Sequence, residues 1–118
     1  MYQMSLGIVS LLFYSQVSLA AVQDEINHLL GFVASTHCQY ERNGEYHLGP
    51  KALAHIEKKY AYYKKEIKTA EDFIALSATK SSMSGREYLV HCPNQTVIPS
   101  KTWLLMELKA FRSLKAAQ

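Results

Sequence analysis

The chain has 118 residues, 48% hydrophobic and 19% charged, with 13 Lys/Arg against 10 Asp/Glu and a formal charge of +3. That length and apolar share fit one globular domain, which excludes a multidomain cytosolic enzyme, a low-complexity or collagen-like chain and a multi-span membrane protein. Every charged side chain lies at or after Asp24, so the totals average two different kinds of segment.

The first kind comes first in the chain. An apolar stretch from Leu6 to Tyr14 is followed by polar breakers and then Ser18-Leu19-Ala20. Small residues at −3 and −1 suit the signal peptidase pocket, so cleavage is expected after Ala20, leaving residues 21–118 as a single domain. A retained anchor is the weaker alternative, because serines and a glutamine interrupt the stretch before it reaches the ~20 apolar residues of a span. No Lys or Arg precedes the apolar stretch, which departs from the usual signal pattern. The expected destination is the periplasm or the medium, with no stable membrane anchor after cleavage.

Ala21 to Thr36 reads as a helix, since Val22, Ile26, Leu29, Leu30 and Val33 form a one-sided stripe and Asp24 and Glu25 suit its N-terminal end. Asn43-Gly44 tolerates positive φ at both residues and predicts a tight turn after a short strand. Gly49-Pro50 opens a second helix running to about Lys68, with Pro at N1 where its missing N–H costs nothing. Its apolar arc holds Ala52, Leu53, Ile56, Tyr60, Tyr63 and Ile67, leaving Lys58, Tyr62, Lys65 and Lys68 toward solvent. Thr69 and Asp72 are spaced as a capping box for a third helix from Ala70 to about Thr79. After the Lys80–Arg86 loop, Glu87 to Cys92 reads as a strand. Ser100 is then expected to cap a last helix, Lys101 to Leu114, with Trp103, Leu104, Leu108 and Phe111 inward. The predicted fold is α+β: about four helices on a two- to three-stranded antiparallel sheet.

Export makes Cys38–Cys92 a predicted disulfide. Each cysteine follows a histidine, His37 and His91, so a zinc site is the alternative. It is disfavoured, because neighbours on a strand point to opposite faces and could hardly share one ion. No metal and no cofactor are expected.

Motifs for chemistry are sparse. Ser77-Ala-Thr-Lys80 matches S-x-x-K without its partner motifs, and Gly44 to Lys51 resembles a phosphate loop in which Pro50 stands in place of the lysine. The lysine–tyrosine run from Lys58 to Lys65 reads as a solvated helix face in preference to a nucleic-acid contact. Two places remain. The Lys80–Arg86 loop offers hydroxyls, a glycine and two cations to an anion. His55 lies about 110° from the centre of its helix's apolar arc, on the flank of the core.

Taken in order, Arg42-Asn43-Gly44, His55 with Lys59-Tyr60, Thr69-Ala70 with Phe73-Ile74, Lys80-Ser81-Ser82-Met83-Ser84-Gly85 and Tyr88 resemble the YfeK-like family of small exported bacterial proteins, from Ile26 to Phe111. The resemblance implies an exported bacterial protein and no known activity. Its polar motif positions are expected to converge, with the Asn43-Gly44 turn and the Ser81–Gly85 loop meeting beside His55. The expected ligand-binding set is Arg42, Asn43, His55, Ser81, Ser82, Ser84, Gly85 and Tyr88, with no catalytic residue assigned. A structural network is the rival reading of the same residues. As a binding module the protein would take an anionic small molecule, a glycan or an envelope protein, and no nucleic acid. The alternative is a small hydrolase using Ser81 or Ser82 with His55, for which no acidic partner stands out.

Overall fold

The computed structural model describes residues 18–118 together with Gly7. The expected signal peptide, residues 1–20, lies outside the described residues except for Gly7 and its last three. Ser18 accepts a hydrogen bond from the Ala21 amide at 3.0 Å and so caps α1, Leu19–Ala34, two residues earlier than predicted. Then follow β1 (Gln39–Arg42), β2 (Glu45–His47), α2 (Gly49–Tyr63), α3 (Ala70–Ser77), β3 (Leu89–His91), β4 (Ile98–Pro99) and α4 (Ser100–Ala116). The class is α+β. Among the described residues, no helix is long and apolar enough to cross a membrane.

The antiparallel sheet has four strands in the order β2-β1-β3-β4, which corrects the expected two or three. The missed strand, β4, is two residues long and carries no alternation to read; it exists only by pairing Pro99 with Leu89 and Ile98 with Val90. The predicted hairpin is present, with Asn43 at φ 51° and Gly44 at φ 80°, the positive pair that a two-residue turn with the right twist demands.

Register determines the core. His47, Tyr40, Val90 and Ile98 lie opposite one another in a row across all four strands. The row packs under the helices, where Ile26 and Leu29 of α1, Ile56 of α2, Phe73 of α3 and Leu104 of α4 are buried. Period-two alternation then places Arg42, two residues after Tyr40, on the helix-facing side at the end of β1. The Cys38–Cys92 disulfide ties the start of β1 to the end of β3, as expected of an oxidising compartment.

Three helix boundaries shift for local reasons. α2 stops at Tyr63 instead of Lys68, because the amides of Lys68 and Thr69 are both taken by Asp72 Oδ2 at the head of α3. The capping box itself is formed, with Asp72 N donating to Thr69 Oγ1 at 3.0 Å. α3 stops at Ser77, where the Thr79 hydroxyl donates to the Ile74 carbonyl. Ser100 does not cap α4. Pro99 stands at that position, and the Ser100 hydroxyl is buried against Tyr40 instead.

Candidate functional site

The turn between β1 and β2 and the loop after α3 come together. Asn43 Nδ2 donates to Ser81 Oγ at 3.2 Å, and Ser84 Oγ donates to Asn43 Oδ1 at 2.6 Å. The loop is folded on itself by Ser81 N donating to Arg86 O and Gly85 N donating to Ser81 O, each at 2.9 Å, with Gly85 at φ 74°. An isolated bridge between Lys80 and Glu87 closes its base.

This junction forms one wall of an open cleft of about 600 Å³ whose other wall is α2. Of the predicted residues, Arg42, His55, Ser81, Ser82 and Tyr88 line it. Asn43, Ser84 and Gly85 do not; they hold the loop in place behind it. Sequence reasoning missed Lys58, Lys59, Tyr62, Tyr63 and Met83 as lining residues. Lys58 and Tyr62 are exposed, as the helical wheel predicts, yet the same exposed face is the cleft wall. The signal for them was the spacing from His55, at i+3, i+4, i+7 and i+8 along one helix.

The electrostatics are one-sided. Arg42, Lys58, Lys59 and His55 line the cleft and no Asp or Glu does. Burial holds the His55 imidazole below its ordinary value, and the positive charge of Arg42 pushes the same way, followed by His47, Lys51 and Lys58. Burial likewise lowers the Lys59 ammonium, with Arg42 and Lys80 adding like charge against an opposing pull from Tyr63. Lys59 Nζ donates to the Lys80 carbonyl and sits 5.3 Å from the centre of the Tyr88 ring.

Arg42 Nε is buried without a hydrogen-bond partner among the described residues, and so is His47 Nε2. Both residues line a void of about 10 Å³ under the cleft, shared with His55 and Tyr88 and of about one water's size. The His47 and His55 rings stand 5.3 Å apart across it.

Nucleophile geometry is not assembled. Ser81 is buried and its Oγ accepts from Asn43 Nδ2 and from the Ser84 amide. Among the described residues, no hydrogen bond joins His55 to Ser81 or Ser82. What the arrangement can do chemically is hold negative charge against fixed cations beside aromatic faces.

Fold and cleft together define a class: a small α+β domain whose four-stranded sheet is closed by a disulfide and which presents a cationic, tyrosine-lined cleft. A family model described as "Family of unknown function (DUF5329)" matches residues 20–112, and the chain belongs to that family. No curated protein and no solved structure matches it.

Proposed function

We propose that this protein is an exported binding module of the bacterial cell envelope, without catalytic activity, that takes an anion in the cleft between α2 and the Ser81–Gly85 loop. One observation carries the reading: three cationic side chains, Arg42, Lys58 and Lys59, line the cleft beside His55 and no carboxylate lines it. Cations packed this closely repel one another, and the charge of Arg42 adds to burial in lowering both His55 and Lys59. A bound anion relieves that repulsion. The binding residues are Arg42, His55, Ser81, Ser82 and Tyr88, joined by Lys58 and Lys59 from α2, with Asn43, Ser84 and Gly85 holding the loop that presents them. Export through a signal peptide cleaved after Ala20 is supported by the disulfide, by the resemblance to the YfeK-like family and by the small residues before that position. Cleavage there would remove the Ser18 cap and place a free amino group at Ala21, three residues before Asp24, whose charge suits that end of α1.

Titrating isotope-labelled protein with inorganic phosphate tests the reading. Shifts are expected at Arg42, His55, Lys58 and Lys59, weakened by Arg42→Gln and by Lys58→Gln. A titration that leaves these residues unmoved would overturn it. Fractionation of the native host tests export separately: a processed chain in the periplasm is expected, and a full-length chain in the cytosol would refute it.

A further inference from the structure

The wall of the cleft formed by α2 is graded along its length. His55, Lys58, Lys59, Tyr62 and Tyr63 all line it and follow the i, i+3, i+4, i+7, i+8 spacing of a single helical stripe. The end near His55 is cationic and is joined there by Arg42 from β1. About 6 Å beyond Lys58 and Lys59, at 1.5 Å per residue, the stripe changes to two tyrosines. Their rings meet edge to face with centroids 4.8 Å apart.

The aromatic end is uncovered. Tyr62 is 80% exposed and Met83, which lines the cleft from the loop side, is 95% exposed. An aromatic ring and a thioether left in water beside a concave surface gain by covering, both from lost apolar area and from contact with a ring. The space is also too large for a simple ion. About 600 Å³ falls within the range of pockets that bury drug-sized molecules. A bare phosphate would fill one corner of it.

We propose that the cleft binds a soluble aromatic organic anion, its charged group held by Arg42, Lys58 and Lys59 and its ring laid against Tyr62 and Tyr63. This rests on the reading of the cleft as an anion site and adds the ring to it. Phosphate, sulfonate and carboxylate heads share the chemistry at the cationic end. Lys58 and Lys59 each stand four residues before a tyrosine, so the two subsites lie about 6 Å apart along α2, within the reach of one small molecule that carries both the head and the ring.

Full-length protein is tested with three small probes: 1-anilinonaphthalene-8-sulfonate, which carries both features, inorganic phosphate, which carries only the charge, and neutral N-phenyl-1-naphthylamine, which carries only the rings. The sulfonate is expected to bind more tightly than either partial probe. Tyr62→Ala is expected to weaken it at least about fivefold, the lower end of what one stacked ring contributes, while leaving phosphate affinity unchanged. Tyr62→Phe should retain the binding, since the ring is kept. Tyr62 is so exposed that neither variant threatens folding.

The two readings fail separately. If Arg42→Gln and Lys58→Gln change neither phosphate nor sulfonate binding, the anion site itself is refuted. If they weaken phosphate binding but the sulfonate binds no more tightly than phosphate, or ignores Tyr62→Ala, only the ring is refuted. Pelleting with phosphatidylglycerol vesicles that depends on Tyr62 and Met83 would also overturn the proposal, because the exposed pair would then be entering a bilayer.

Discussion

The side-chain amide of Asn43 donates to the hydroxyl of Ser81 at 3.2 Å across a sequence separation of 38 residues, joining the hairpin turn to the loop after α3. The Asn43 carbonyl oxygen accepts from Ser84 in the same junction, and Asn43 stands at a positive φ that alanine resists. Asn43→Ala removes both bonds and adds backbone strain, for an expected cost of about 2 kcal/mol. Ser84→Ala removes the bond to Asn43 and the one its hydroxyl accepts from the Arg86 amide, both exposed, and is expected to cost about 1 kcal/mol. Thermal unfolding checks the pair, with the larger loss corresponding to roughly 10 °C. Equal midpoints for Asn43→Ala and the parent would show that the junction contributes nothing.

Beneath it, the hydroxyls of Tyr40 and Ser100 share a buried hydrogen bond of 3.0 Å. Burial pushes the Tyr40 phenol far above its ordinary value, with the Ser100 bond opposing. Tyr40→Phe strands the Ser100 hydroxyl without a partner, at about 1–3 kcal/mol. The double variant Tyr40→Phe, Ser100→Ala leaves nothing stranded and is expected to lose less than the two single variants summed. Urea denaturation of the four proteins measures that coupling directly.

The groups facing His55 are Arg42 from β1, His47 from β2, and Lys51 and Lys58 from its own helix. Burial and these charges lower its folded value below 6.5, so the unfolded chain binds the proton more readily. The sign follows: this contribution to stability is present above the unfolded value and is lost as pH falls through 6.5 toward the lowered folded value. Arg42→Gln removes one of the repelling charges and should move the His55 midpoint upward. A bound anion does the same, so phosphate affinity should rise as pH falls through that window. Proton NMR of the imidazole, with and without phosphate, reads both effects, and a midpoint that ignores Arg42→Gln would contradict the placement of the two side chains.

Cys38 and Cys92 close a loop with a sequence separation of 54 residues. In the chain-entropy account a loop of that length is worth about 4 kcal/mol, a large fraction of the net stability of so small a domain. Reduction, or Cys38→Ser with Cys92→Ser, should lower the urea midpoint sharply and steepen the slope, because the unfolded chain expands once the crosslink is gone. An unchanged midpoint would mean that the unfolded chain is already compact around this pair.

What could be read in advance depended on how local its cause is. The Asn43-Gly44 turn needs only two residues that accept positive φ, and the Thr69–Asp72 box only a hydroxyl and a carboxylate at the right spacing. Both are present as predicted. Arg42, Ser81 and Ser82 line one cleft, with Asn43 and Ser84 bonded behind it. β4 escaped notice because two residues make a strand only when Leu89 and Val90 lie alongside. Ser100 looked like a cap because its partner, Tyr40, is 60 residues away.

The case of α2 separates the two sources most clearly. Periodicity alone determined that Lys58 and Tyr62 lie on the exposed side of a helix, that Ile56 lies inward, and that the charged residues begin only at Asp24. An angle on a helical wheel does not say what stands across from it. Only the folded chain decided that the exposed face of α2 looks onto Arg42 and the Ser81 loop, so that residues suited to water became the wall of a cleft. The physical reason is range: caps, turns and stripes are settled by interactions within a few residues, whereas a cleft exists only where segments distant in sequence are held side by side by strand register, a buried hydroxyl pair and a disulfide.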